Sequence, residues 1–227
     1  MNISELKIGV IGGTGEEGRG LALRWAMAGA RVRIGSRTAE RARAAADELN
    51  AHVTNNPIGY GENREVVGFA DFALLTVPFE HAAATLESLA DALRPGAIVV
   101  DITVPVSFEK GVGVRYVELP EGSASEHLRA RLPESIPLVA AFKTEPAHLL
   151  VEPHEKLDCD VFVASNDKEA RARVIEAIPH IEGLRAVDAG TLYSARTIER
   201  MTVLAIGINR RYKIKSACYR VMGLSPV

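Results

Sequence analysis

The glycine pattern in GVIGGTGEEGRG, residues 9–20, constrains the fold more than any other stretch. Gly13, Gly15 and Gly18 follow a short apolar run, KIGVIG at 7–12, and open a segment of helical periodicity at 16–29. A strand, a glycine turn and a helix in that order begin a βαβ unit whose loop receives a phosphate. In this reading Gly13 permits the tight turn and Gly15 lets a diphosphate approach the backbone. Gly18 lets the helix close on the strand. The free N–H groups of the first helical turn, including those of Glu16 and Glu17, and the helix dipole then hold the anion. The acidic side chains of Glu16 and Glu17 are expected to point outward.

The pattern downstream sustains the unit. Strand-like segments at 31–35, 52–56, 72–77 and 97–102 alternate with helical segments at 38–50, 61–70 and 79–93. Such alternation implies a parallel sheet with right-handed crossovers, and near-continuous apolar strands imply a sheet covered on both faces. Thr38 is placed to cap the helix that follows it. Residues 104–122, rich in Gly and Pro, read as a long loop. Further helices are predicted at 123–131 and after Ser165 or Asn166, and strands at 137–142, 160–164 and 184–188. A long, mostly apolar helix is predicted at 193–212. The fold class is therefore α/β: a Rossmann-type parallel sheet over residues 1–148 with a smaller C-terminal α/β part over 149–227. The length of the last helix predicts a buried homodimer contact.

The second strand ends in IGSRTAER rather than in an acidic residue. A carboxylate about 20 residues past the glycines accepts hydrogen bonds from a ribose 2′-OH and would repel a 2′-phosphate. Here Ser36 lies 23 positions after Gly13, and no Asp or Glu falls between Arg31 and Arg37. The Ser36 hydroxyl can donate to a phosphate, and Arg37 and Arg41 can grip it with charge-assisted, bidentate bonds. The reading is NADP(H) rather than NAD(H).

Composition narrows the class. A net charge of -2 gives no electrostatic case for nucleic acid. No apolar run reaches the length of a membrane span, and the N-terminus lacks the form of a signal peptide. Cys159 and Cys218 read as free thiols of a cytoplasmic protein. The six histidines show no paired metal-ligand spacing.

Taken together, IGGTGEEGRGLALRWAMAGARVRIGSR, LLTVPFEHA, VVDITVPVS, FKTEPA and IEGLRAVDAGTLYSARTIE resemble, in order and over nearly the whole chain, the coenzyme F420-dependent NADP oxidoreductases. The resemblance implies hydride transfer between NADPH and an 8-hydroxy-5-deazaflavin, coenzyme F420. By position it places Thr14, Gly15, Glu16 and Glu17 along the diphosphate, and Ser36, Arg37 and Arg41 at the 2′-phosphate. Thr76, Val77, Pro78 and His81 would lie beside the cofactor, and Ala147 near the nicotinamide. The chain departs from the family at Lys143 and Glu145 and in its C-terminal tail.

Hydride transfer between two organic carriers needs orientation and exclusion of water, not a protein nucleophile. No triad is expected. Lys143 follows an apolar strand end, where α/β sites lie. It can stabilise charge on a reduced ring or bind an acidic tail, or else face solvent beside Glu145. Two other functions share the nucleotide motifs: an NADP(H)-dependent reductase of a flavin, pterin or small carbonyl acceptor, and a protein that binds NADP(H) without turnover.

Overall fold

A computed structural model describes residues 1–224. Its centre is an eight-stranded sheet. The strands of the first half are β1 (Lys7–Ile11), β2 (Arg31–Ser36), β3 (Gly59–Glu62), β4 (Phe72–Leu75) and β5 (Ile98–Asp101). Between them run α1 (Glu16–Met27), α2 (Ala39–Asn50), α3 (Asn63–Phe69) and α4 (Phe79–Leu89). After β5 come a hairpin, β6 (Val106–Glu109) with β7 (Gly113–Tyr116), then α5 (Ala124–Arg129), β8 (Leu138–Ala140) and α6 (Ala147–Val151). The chain closes with β9 (Cys159–Ala164), α7 (Lys168–Ala177), β10 (Leu184–Gly190) and α8 (Ala195–Tyr212).

The strand order is β10-β9-β8-β5-β4-β1-β2-β3. From β8 to β3 every pairing is parallel; β8 and β9 pair antiparallel, and β9 and β10 parallel to each other. One sheet thus runs through both halves of the chain, and the division at residue 148 falls between two adjacent strands of it.

Period-two alternation builds two cores from the same strands. Phe72 and Leu74 of β4, with Ile98 and Val100 of β5, face the layer of α1 and α2. Ala73, Leu75 and Val99 face the layer of α4, α5 and α8. Trp25 of α1 is 1% exposed and meets Phe142 edge to face at 6.1 Å. Among the described residues no helix is long and apolar enough to cross a membrane.

Several local expectations shift. Residues 104–122 contain the β6–β7 hairpin, which alternating Val106, Phe108, Val114 and Tyr116 support despite the glycines. The third strand is not 52–56 but Gly59–Glu62, next to Arg33–Ser36. Thr38 occupies the N-cap position without a side-chain bond, while Asp167, rather than Ser165 or Asn166, caps α7 by accepting from the Ala170 N–H at 2.8 Å.

Candidate functional site

The phosphate loop lies where β1 meets α1, at the end of the sheet where the parallel strands β1–β5 and β8 terminate. Its left-handed residue is Gly12, at φ 71, not Gly13. A Cβ on Gly12 would sit 2.3 Å from Val77 Cγ1. Gly13 has a packing role: a Cβ there would lie 2.9 Å from Val10 Cγ1. Gly18 closes helix on strand as its spacing predicts, since a Cβ would meet Thr76 Oγ1 at 2.6 Å and Gly13 Cα at 2.7 Å. The loop is pinned from three sides. Gly13 N–H donates to Gly35 O at 3.0 Å, Gly12 N–H to Asn63 Oδ1 at 3.1 Å, and Thr76 Oγ1 to Ile11 O at 2.8 Å.

Gly15 differs from its neighbours. It is the N-cap of α1 without a side-chain bond, and a Cβ added to it meets nothing within 4 Å. Open space thus faces the uncapped N–H groups of a twelve-residue helix, the geometry that receives a phosphate. The chain fits a dinucleotide at this point.

A cleft of about 660 Å³ begins there. Thr14, Gly15, Glu16 and Glu17 form one wall, and Thr76, Val77, Pro78 and His81 the opposite one. Ser36, Arg37 and Arg41 close the far end; Ile102, Thr103 and Val104 close the other. Gly13 and Gly18 shape the loop without lining the cleft. Ser36 is 6% exposed, anchored at the end of β2. Arg37 precedes the α2 cap, so it and Arg41 meet at the cleft through the loop rather than one helical turn apart. The carboxylates in the last turns of α2 pair with arginines, Glu48 with Arg19 and Asp47 with Arg43. Asn63, Phe79 and Thr85 also line the cleft; nothing in their local sequence marked them.

A second cavity, about 510 Å³, adjoins the first, and Glu16, Glu17, Ile102 and Val104 line both. Ala147 lines this second cavity. So does the strip from Phe142 to His148 that follows β8. Phe142 turns the strip with φ 52, a conformation that costs a non-glycine residue about 1–3 kcal/mol and tends to occur at functional sites.

The Lys143 side chain does not face solvent. Its Nζ donates to Asp101 Oδ2 at 2.8 Å and to Thr103 O at 2.6 Å, and lies 3.3 Å from Glu199 Oε1. None of these three charged side chains has any exposed surface. Asp101 also accepts from Thr103 Oγ1 at 2.7 Å and Ser125 Oγ at 2.5 Å. Glu199 accepts from Ala124 N at 2.8 Å and Tyr116 OH at 2.8 Å. Burial alone would lower the Lys143 ammonium, but Asp101 and Glu199 outweigh it and hold its pKa above the ordinary value. Burial, then Glu199, pushes the Tyr116 phenol upward. Lys143 thus locks β5, α5 and α8 together behind the cavity.

Glu145 is buried as well, 7% exposed. Its carboxylate accepts from Thr144 N at 3.2 Å and Thr144 Oγ1 at 3.3 Å. Burial pushes its pKa up to about 8. Contrary to expectation, the Glu17 side chain does not simply point outward. Its Oε1 is buried with no hydrogen-bond partner among the described residues, and burial, then Glu145, then Glu16, raises its pKa well above the ordinary value.

The C-terminal tail supplies the remaining wall through Ile214, Lys215 and Ala217. The chain leaves α8 at Lys213, φ 56. Asp160 N–H donates to Tyr219 O at 2.9 Å, Val221 N–H to Asp160 Oδ2 at 2.6 Å, and Tyr219 OH to Met201 O at 2.6 Å.

The family model for coenzyme F420-dependent NADP oxidoreductases matches residues 7–105. An F420-dependent NADP reductase of Methanothermobacter thermautotrophicus is 40% identical over 99% of this chain and 98% of its own. One from Methanocaldococcus jannaschii is 36% identical over 96% and 99%. Among solved structures, a candidate F420-dependent NADP-reductase from Arthrobacter sp. FB24 superposes with a TM-score of 0.80 at 23% identity, covering 95% of this chain and 99% of that one. The 3-hydroxyisobutyrate dehydrogenase of Mycobacterium tuberculosis shares the fold at a TM-score of 0.64 and 16% identity, over 92% of this chain and 64% of that one. Identity of this extent over nearly full length, with the glycine loop and the Ser36–Arg37 strand end in place, decides the matter: the chain belongs to the F420-dependent NADP reductase family.

Proposed function

We propose that this protein transfers a hydride between NADP(H) and coenzyme F420. The observation that carries the reading is the pair of adjoining cavities with a common wall. One runs from the Gly15 helix end to Ser36, Arg37 and Arg41; the other opens beside Ala147. In this reading residues 1–148 hold the dinucleotide, its diphosphate at Thr14–Glu17 and its 2′-phosphate at Ser36, Arg37 and Arg41. Val77, Pro78 and His81 flank it, and Ala147 faces the nicotinamide. The 149–227 part supplies the other side of the acceptor cavity through α8 and the tail.

The dinucleotide supplies the hydride; the protein's part is placement. The glycine loop and arginines fix one carrier end to end, so its reactive ring is delivered to the shared wall. Ile102 and Val104 form the apolar part of that wall and help to exclude water. Lys143, occupied by Asp101 and Glu199, has a positioning role. It holds the strip that carries Ala147.

We further infer a homodimer. Leu204 is 57% exposed on α8, and Phe108 and Val112 of the neighbouring hairpin are exposed at 70% and 57%. Burying this face against a second copy would remove them from water. The cytoplasmic reading rests on two free thiols, the state of a reducing compartment.

The test is to mix purified protein with NADPH and oxidised F420 and follow loss of the deazaflavin's visible absorbance, with NADH and a flavin as controls. Bleaching with NADPH and F420 together supports the reading. Bound NADPH without bleaching would refute the acceptor assignment. A monomeric mass in light scattering would refute the dimer.

A further inference from the structure

We propose that Glu17, on the wall between the two cavities, and Glu145, in the second cavity beside it, form a proton-holding carboxyl pair, and that an anionic dinucleotide binds with uptake of a proton by this pair. The inference rests on the dinucleotide reading above.

The geometry sets the terms. Glu17 sits in the first turn of α1 and lines both cavities; Glu145 lines the second. Among the described residues, the Glu145 side chain accepts only from its neighbour Thr144, and Glu17 Oε1 is buried with no partner. An ionised carboxylate in that position lacks the donors it needs, whereas a protonated one brings its own hydrogen. Two buried carboxyls lining one cavity cannot both ionise cheaply, so they titrate as a pair rather than singly.

The other charges around the pair do not relieve it. From α1, Glu16 adds to the negative field. From the strip, Lys143 is spent on Asp101 and Glu199, and His148 lines the cavity half-buried. From the tail, Lys215 is exposed at the rim, and Cys218 raises the Glu145 pKa further. The pair therefore holds its proton against ordinary neutral pH, the direction burial gives both groups.

An anion seated at the α1 N-terminus would meet a neutral Glu17, able to donate to an anion oxygen, rather than a repelling carboxylate. By reciprocity, the anion raises the pair's hold on its proton. Proton uptake then appears where the free pair begins to ionise, near and above the value for Glu145, about 8. The 2′-phosphate of NADPH, with its second pKa of about 6, is already fully ionised in that range and does not contribute.

The experiment is calorimetric titration of NADPH into the full chain at about pH 8.5, in two buffers of different ionisation enthalpy. Kd is followed from about pH 7 to 9.5. The expected result is uptake of roughly half a proton per site, and a Kd that weakens several-fold, toward about tenfold per pH unit, as pH rises. In Glu17→Gln, and separately in Glu145→Gln, the uptake should fall and the pH profile flatten. Gln keeps the shape and cannot ionise, so either variant that folds suffices. The free protein gives a second readout: the 13C resonances of the two carboxyl carbons should titrate well above the ordinary carboxylate range. Tight NADPH binding with no proton uptake, or carboxyl resonances that titrate at ordinary values, would overturn the proposal. No NADPH binding at any pH would overturn the dinucleotide reading, and this proposal with it.

Discussion

The Lys143 ammonium stands 2.8 Å from the Asp101 carboxylate, and neither side chain touches water. With Glu199 beside them, one cation balances two buried anions. Removing that cation leaves both carboxylates uncompensated. Lys143→Met should lower unfolding free energy by about 3–5 kcal/mol, and adding Asp101→Asn should recover part of it. Urea melts of the single and double variants measure both. A lysine whose folded pKa is raised stabilises fully below its unfolded value and loses the contribution as pH climbs through the folded one. The Lys143 contribution should therefore be intact at neutral pH and fade only above roughly pH 10. A stable Lys143→Met protein would show that the cluster does not hold the fold.

Arg37 and Arg41 close the far end of the cleft with exposed guanidiniums. Replacing both with Ala should weaken NADPH by at least about tenfold, through lost charge-assisted bonds, and leave NADH nearly unchanged. Fluorescence titrations with the two nucleotides measure the ratio. Equal losses would mean that the 2′-phosphate lies elsewhere.

Gly12 and Gly15 should respond differently to the same added methyl. At Gly12 the left-handed φ and the 2.3 Å overlap with Val77 make Ala costly; a loss of about 2 kcal/mol or more is expected in thermal or urea melts. At Gly15 the methyl enters open space. Stability should then fall by no more than about 1 kcal/mol, while NADPH affinity drops because the methyl occupies the approach to the α1 N–H groups.

Cys218 is half-buried and Cys159 fully buried. The neighbouring Cys159 thiol lowers the pKa of Cys218, while Cys218 and burial raise Cys159. A thiol reagent on the folded protein should label Cys218 first, and Cys159 only on unfolding. Mass spectrometry of timed digests gives the order.

Much of the nucleotide end was legible because its signals are local. Glycine spacing, a strand end without a carboxylate and a following helix all lie within 41 residues of the N-terminus. What went astray there was also local. The motif spacing names Gly13 as the turn, but the backbone reserves its left-handed conformation for Gly12. Nor could spacing reveal that α1 packs closely on α6, where a Cβ on Gly20 would meet Leu150 Cβ at 2.5 Å, or that Glu17 Oε1 is buried.

The Lys143 cluster was not legible. Its members sit on β5, the strip after β8, and α8, and Lys143 alone spans 42 positions to Asp101. In sequence each is a charge beside an apolar residue, and nothing local tells it from a solvated one. The hairpin hid for a related reason: its glycines signal a loop, and only pairing between its strands satisfies the backbone.

By itself, then, the sequence determined the α/β sheet and the glycine turn that joins its first strand to its first helix, and it pointed to a 2′-phosphate, because periodicity and turn chemistry act between neighbours. Only the tertiary structure decided which charges are buried together and that two cavities share a wall. It also decided that the tail closes the second cavity. Those outcomes depend on desolvation and on contacts between elements far apart in the chain, which no local pattern encodes.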